Sequence, residues 1–181
     1  FMGEKSTRTR VSFNLAAINL GIQVVPFDVS NSSMEKAGES WEETVQVFCG
    51  YRPDVIILRH DDDNSSEQAA RISDCMGGPP IINGGSGKKH HPPQALLAFL
   101  TIQEQLGRLD DLPVAIGADV FYSRTARSIA YLFSKYRNIR LIFVTPPELT
   151  PPPELLAHFR KNAVTHAHTE KMAEAFEVAD V

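Results

Sequence analysis

Cysteine is almost missing from this sequence, with Cys49 and Cys75 the only two. They lack zinc-ligand spacing and cannot build a disulfide framework, which points to a reducing compartment. A dominant charge is missing as well. The 22 acidic and 18 basic groups leave a formal charge of −4, so nothing drives the whole chain toward nucleic acid or an anionic membrane. Any anion site must therefore be local. No apolar run reaches the ~18 residues of a transmembrane helix, and the first residues do not read as a secretory leader. Internal repeats and low-complexity tracts are absent too. What is left is 181 residues with 43% hydrophobic content, the material of one large domain or two small ones. A cytoplasmic location is expected, with neither nucleic acid nor membrane as partner. The text opens on Phe1 in what reads as the end of a strand and stops at Ala179-Asp180-Val181 in an apolar lead into another element. A fragment of a longer chain is expected.

The pattern that is present alternates. Helix-period segments fall near 7–20, 40–50, 66–75, 93–106, 124–135, 152–161 and 169–177. Between them lie short β-rich runs at 22–27, 55–58, 80–82, 114–117, 139–144 and 163–166. Short apolar strands alternating with helices predict parallel sheets covered on both faces, with right-handed crossovers. Ser40 and Glu43 have capping-box spacing at the start of the second helix, and Pro151, Pro152 and Pro153 open the sixth. A polar stop at 107–111 follows the helix that ends at Leu106. The expected class is α/β, with two doubly wound parallel-sheet lobes joined by a helix and the second lobe incomplete. The first lobe with its linker helix spans 1–107, and the second 108–181.

Chemistry-bearing residues cluster at strand ends and helix starts. Ser6-Thr7-Arg8-Thr9-Arg10 stands at the mouth of the first helix, where unpaired N–H groups and the helix dipole favour an anion. An arginine fork there can take two phosphate oxygens. The plainer alternative is a capped helix with a solvated basic face. Asn83-Gly84-Gly85-Ser86-Gly87 leads to His91-Pro92-Pro93-Gln94 after a strand, at the edge where α/β folds bind ligands. His91 and Gln94 share a face at a helix start; the alternative is a flexible glycine loop with surface histidines. Zinc held by His90 and His91 is not expected, since adjacent side chains diverge and no cysteine is near. Arg59 ends an apolar strand and Arg124 opens a helix; either reads alone as a solvated surface arginine. The run from Asp61 to Ser66 reads as a solvated loop ending in a helix cap, with a cation site as the alternative, and His166 and His168 read as surface groups.

Taken in order, these motifs resemble the aspartate/ornithine carbamoyltransferase family. The carriers are Ser6-Thr7-Arg8-Thr9-Arg10, the pair Arg59-His60, the Asn83-x-Gly85-x-Gly87 lead-in to His91-Pro92-x-Gln94, and Ser123-Arg124-x-x-Arg127-Ser128. The last two favour the aspartate-using catalytic chains over the ornithine-using relatives. The resemblance implies transfer of a carbamoyl group from carbamoyl phosphate to L-aspartate, in pyrimidine biosynthesis. It places Ser6, Thr7, Arg8 and Thr9 on the phosphate, and Thr9, Arg59 and His91 on the carbonyl oxygen. Gln94 holds the carbamoyl amide, and Arg124 the aspartate α-carboxylate. Lys36 reaches the site from a neighbouring subunit. The implied assembly is a homotrimer with shared sites, with regulatory or dihydroorotase chains as further partners, and no metal or organic cofactor. Ser6–Thr9, Arg59, His91 and Gln94 are expected to converge at the carboxyl edge of the first-lobe sheet.

The sequence also departs from the family's pattern. Ala37 separates Lys36 from Gly38-Glu39, where the family usually has lysine directly before Gly-Glu. Ser86 stands where it usually has aspartate, Lys5 where it has proline, and Ala118 where it has glycine before Asp119. The Lys36-Ala37 loop and Ser86 motivate one alternative, a non-catalytic homologue acting as an assembly partner; a generic phosphate-binding module is a third reading.

Overall fold

The computed structural model describes residues 6–28 and 38–181. Two compact units divide between Gly87 and Lys88. The first contains α1 (Thr7–Asn19), α2 (Trp41–Gly50), β1 (Ile56–His60), α3 (Ser65–Cys75) and β2 (Ile81–Ser86). The second contains α4 (Pro92–Leu106), β3 (Pro113–Gly117), α5 (Arg124–Phe133), β4 (Arg140–Val144), α6 (Pro153–Lys161), β5 (Thr165–Thr169) and α7 (Met172–Phe176). Every strand pairing among these elements is parallel, as an alternating α/β chain requires.

In the first unit β1 pairs with β2, and the core gathers Val45 and Cys49 of α2, Ile56 and Leu58 of β1, and Ala69 of α3. The predicted capping box at α2 is formed. Ser40 N–H donates to Glu43 Oε2 at 2.8 Å, and Glu43 N–H returns a bond to Ser40 Oγ at 3.2 Å. These bonds hold the Glu43 carboxyl below the usual carboxylate range, the Ser40 backbone N–H contributing most. The strand expected at 22–27 is not formed. Residues 22–27 run outside any ladder with Val25 88% exposed, and Pro26 has no N–H to give to one. The Asp61–Ser66 loop also differs from expectation. Ser65 and Ser66 are buried, α3 starts at Ser65, and its N-cap Asn64 makes no side-chain cap bond. Among the described residues no group of three or more metal-capable side chains gathers there or elsewhere.

In the second unit the sheet order is β3-β4-β5. Period-2 alternation covers β4 on both faces. Leu141 and Phe143 join the main cluster with Phe99, Val114, Phe133, Leu155 and Phe159, while Ile142 and Val144 pack with Ala175 of α7. The last residues add to the free side of β3: Asp180 N–H donates to Pro113 O at 2.9 Å, and Ala115 N–H to Val181 O at 2.7 Å. Arg108 holds Asp180 at 2.7 Å. β5 begins two residues later than the run read from the sequence. His166 and His168 are exposed on it, as expected for surface groups. α4 starts on Pro92 and ends at Gly107, whose φ of +67° closes the helix through a bond to Gln103 O. This helix, read as the linker of the first lobe, packs on α5 and groups with the second unit.

His158 near the end of α6 gives this unit a pH dependence. Its Nε2 lies 2.7 Å from Ser134 Oγ, and its ring meets Tyr131 edge-on. Burial, then the charges of Lys135 and Lys161, lower its pKa below the usual histidine value. The unfolded chain therefore binds the extra proton more readily than the folded one. Its contribution is present above about pH 6.5 and is lost as pH falls toward the depressed folded value. Thermal melts from pH 7 to pH 5 are expected to show a falling midpoint, with a shallower fall in His158→Gln. Identical slopes would remove His158 from the account.

Candidate functional site

The first unit places Ser6, Thr7, Arg8 and Thr9 at the start of α1. Ser6 has extended backbone, and its Oγ accepts the Thr9 N–H at 3.4 Å, capping the helix as its position predicts. Thr7 and Arg8 in the first turn are exposed, whereas Thr9 is turned inward and buried. Arg10 is ion-paired with Asp28 at 2.6 Å. The outer face of α1, with Val11, Leu15 and Ile18, stays exposed.

Arg59 is the main surprise relative to its sequence setting. Strand-end arginines are ordinarily solvated, but this one is 5% exposed. Its Nη1 donates to Thr9 Oγ1 at 3.1 Å and to Gly84 O at 3.5 Å. Burying a guanidinium is costly unless it is hydrogen-bonded, and the strand geometry supplies acceptors for Nη1. The β1–β2 register slips between Leu58 and Arg59, so that Leu58 faces Asn83 and Arg59 faces Gly85. Gly85 has φ +138°, and a Cβ there would lie 3.0 Å from Arg59 Nη1. Only glycine leaves the room. The Thr9 hydroxyl, accepting from Arg59, keeps its own proton to donate.

A cavity of about 820 Å³ lies behind Thr9 and Arg10 in the same unit. Its walls are mainly apolar, including Phe13, Ala17, Val25, Phe27, Val47 and Phe48. Its polar lining includes Thr9, Arg10, Gln23 and Thr44. The hydroxyl and guanidinium groups named from the sequence are Ser6–Thr9 and Arg59.

The second unit holds His91, Gln94 and Arg124. His91 is the N-cap of α4, and its O accepts the Gln94 N–H at 3.1 Å, so the first turn sets both residues. The buried Ser128 Oγ accepts the His91 N–H at 2.9 Å, tying the start of α4 to α5. Ser128→Ala is expected to cost about 1–3 kcal/mol by leaving that donor without its acceptor. Urea unfolding measures this, and Ser128→Thr should recover most of the loss. An unchanged midpoint in Ser128→Ala would show the bond to be dispensable.

Arg124 is the first residue of α5. Ser123 Oγ caps that helix by accepting the Ala126 N–H at 3.3 Å. Asp119 shapes the preceding turn: its O accepts the Ser123 N–H and its Oδ1 the Tyr122 N–H, both at 2.9 Å. With 180–181 on one side of β3 and β4 on the other, the carboxyl end of β3 is a point where strand order reverses. Such a point is the usual ligand crevice of an open α/β sheet. Arg124 emerges from the loop at that end. One turn on, Arg127 pairs with Glu154 at 2.8 Å and bridges α5 to α6.

The group named from the sequence is thus present in two parts. Ser6, Thr7, Arg8, Thr9 and Arg59 belong to the first unit, where Arg59 meets Thr9, and His91, Gln94 and Arg124 belong to the second. Lys36 and Ala37 lie outside the described residues. Sequence reasoning named Asn83, Ser86 and Ser128 as members of motifs but gave none of them a role. An Asn two residues before a strained glycine is a turn signal that points to the first of them.

Residues 1–104 match the family model described as aspartate/ornithine carbamoyltransferase, carbamoyl-P binding domain. The aspartate carbamoyltransferase catalytic subunit of Methanocaldococcus jannaschii is 37% identical over 179 residues, covering 98% of this chain and 56% of that protein. That of Vibrio vulnificus is 38% identical, covering 92% and 53%. The chain thus spans about half the length of the curated relatives it matches. Aspartate transcarbamoylase from Trypanosoma cruzi, crystallised with carbamoyl phosphate and aspartate, superposes with a TM-score of 0.89 at 32% identity, covering 99% of this chain and 56% of that one. The M. jannaschii catalytic subunit gives 0.83 at 35% identity, covering 96% and 55%.

Proposed function

We propose a function from one premise: the chain belongs to the aspartate/ornithine carbamoyltransferase family. The reading is aspartate carbamoyltransferase chemistry, in which carbamoyl phosphate and L-aspartate give N-carbamoyl-L-aspartate and phosphate, within pyrimidine biosynthesis. The observation that carries it is the buried Arg59–Thr9 contact at the mouth of α1, beside the exposed Thr7 and Arg8. It gathers donors of the kind a phosphate and a polarised carbonyl require.

In this reading the aspartate amine attacks the carbamoyl carbon, and the carbonyl oxygen takes the negative charge. Thr9, Arg59 and His91 donate to that oxygen, where a positioned donor contributes about 2.7–4 kcal/mol. The carbon–oxygen bond to phosphate then breaks, and the departing phosphate takes up the amine proton. Ser6, Thr7, Arg8 and Thr9 hold its oxygens, Gln94 the carbamoyl amide, and Arg124 the aspartate α-carboxylate. Lys36 comes from a neighbouring subunit of a homotrimer. Functionally, 1–107 serves carbamoyl phosphate and 108–181 is part of the aspartate lobe. The protein works in the cytoplasm, with regulatory or dihydroorotase chains as candidate partners. The chemistry calls for no metal or organic cofactor.

The test is an assay for carbamoyl aspartate with the protein that carries this chain, with ornithine as the competing acceptor. Product from aspartate but not from ornithine supports the reading. Carbamoyl phosphate binding without product favours the second reading, an assembly partner without turnover. The observation behind that reading is Ala37 in the position directly before Gly38-Glu39.

A further inference from the structure

Arg59 lies against a local device on the neighbouring strand. Asn83 Oδ1 accepts the N–H of Gly85, two residues on, at 2.8 Å. This side-chain turn stands in for a ladder bond. It falls where the β1–β2 register slips, so it shapes the slip itself. One consequence is that the Gly84 carbonyl faces Arg59 Nη1 at 3.5 Å. Another is that Gly85 leaves open the space beside the guanidinium that a Cβ would enter, 3.0 Å from Nη1.

Asn83 is itself held in place. Ser86 Oγ donates to the same Oδ1 at 3.2 Å. Ser86 is 1% exposed, and its hydroxyl lies 2.9 Å from Ser66 Oγ at the start of α3. Ser65 next to it donates to Asp62 O at 2.9 Å. A buried hydroxyl chain thus runs from α3 through Ser86 to Asn83, and satisfied polar chains of this kind rigidify what they join.

We propose that Asn83 is a positioning residue for Arg59: its side-chain amide, locked by Ser86, builds the Gly84–Gly85 bulge that aims the guanidinium at Thr9. The inference rests on the reading of Arg59 as a donor to carbamoyl phosphate only for its functional consequence; the positioning itself is a statement about this chain.

The experiment uses the chain as it stands and has two arms. The first records the heteronuclear NOE of the Arg59 side-chain Nε–Hε, assigned by its loss in Arg59→Lys. The unsubstituted chain should give a rigid value, and so should Asn83→Asp, which keeps an acceptor at the same place. Asn83→Ala should give the low value of a mobile arginine while its backbone amide spectrum stays folded. Should Asn83→Ala not fold, Ser86→Ala serves, a smaller lesion in the same chain expected to lower the NOE part of the way. A rigid Arg59 in a folded Asn83→Ala, or failing that in a folded Ser86→Ala, overturns the proposal. The second arm titrates carbamoyl phosphate, and Asn83→Ala should bind about tenfold more weakly, the scale of one charge-assisted bond made with poor geometry. If the NOE falls but the unsubstituted chain binds no carbamoyl phosphate, Asn83 still positions Arg59 and the functional reading alone fails.

Discussion

Replacing Arg8 by alanine is expected to weaken carbamoyl phosphate binding by about 10²–10⁴-fold and to leave stability almost unchanged. Arg8 is exposed in the first turn of α1, so the folded chain loses little packing with it. In the proposed site its guanidinium joins the unpaired N–H groups of the helix start, which favour an anion. Two hydrogen bonds to a charged phosphate, each worth about 1.5–3 kcal/mol, give a loss of about 3–6 kcal/mol. At about 1.4 kcal/mol per decade, that is the range stated. Arg8→Lys should fall in between, because an ammonium keeps the charge but not the two-pronged geometry. Titration calorimetry with carbamoyl phosphate, and separately with inorganic phosphate, makes the measurement. Equal affinities for the parent and Arg8→Ala would remove Arg8 from the phosphate site.

The largest effect on stability is expected from Phe133→Ala. Phe133 is fully buried at the end of α5, with its ring centroid 4.3 Å from that of Phe99 on α4. It belongs to the same cluster as Leu141, Phe143 and Leu155, so the vacated volume is walled by strands and helices with little freedom to close in. Deleting a buried phenyl ring in such a place costs about 3–5 kcal/mol. That is a large share of the roughly 5–15 kcal/mol that separates folded from unfolded domains. Urea unfolding followed by far-UV circular dichroism is the suitable probe, because the single tryptophan, Trp41, belongs to the first unit and not to this core. A midpoint close to that of the parent would mean that the α4–α5 contact is far softer than its packing implies.

What was legible in the sequence was whatever depends on near neighbours. The Ser40–Glu43 capping box, the proline start of α6 and the Gly107 stop of α4 each rest on residues within one helical turn. All three are present as read. Buried strands such as Leu141–Val144 announced themselves by continuous apolar character. The burial of Arg59 could not be read in this way. It depends on a glycine 26 positions along the chain, on a register slip, and on a threonine 50 positions back. No window on the sequence contains these together. The missing strand at 22–27 fails for the converse reason. Its residues have strand propensity, but a strand exists only where a neighbour accepts its hydrogen bonds. Family motifs pointed to Arg59 and Thr9 as functional; they did not say that the two touch. Nor did they reveal that Ser128, the last residue of one motif, accepts the backbone N–H of His91 from another.

The pairing of the final residues with β3 has a consequence for isotope exchange. Backbone N–H groups on a strand alternate in direction. Those bordering β4 are secured by a ladder of five residue pairs, whereas Ala115 on the opposite side is secured by Val181 O. Its amide therefore works as a built-in clock for that edge. Deuterium uptake at Ala115 would report each release of the last residues from β3, while the amides of Val114 and Ile116 would keep the slower time of the sheet. A comparison within three consecutive residues then separates loosening of the edge from opening of the core, with no label added to the protein.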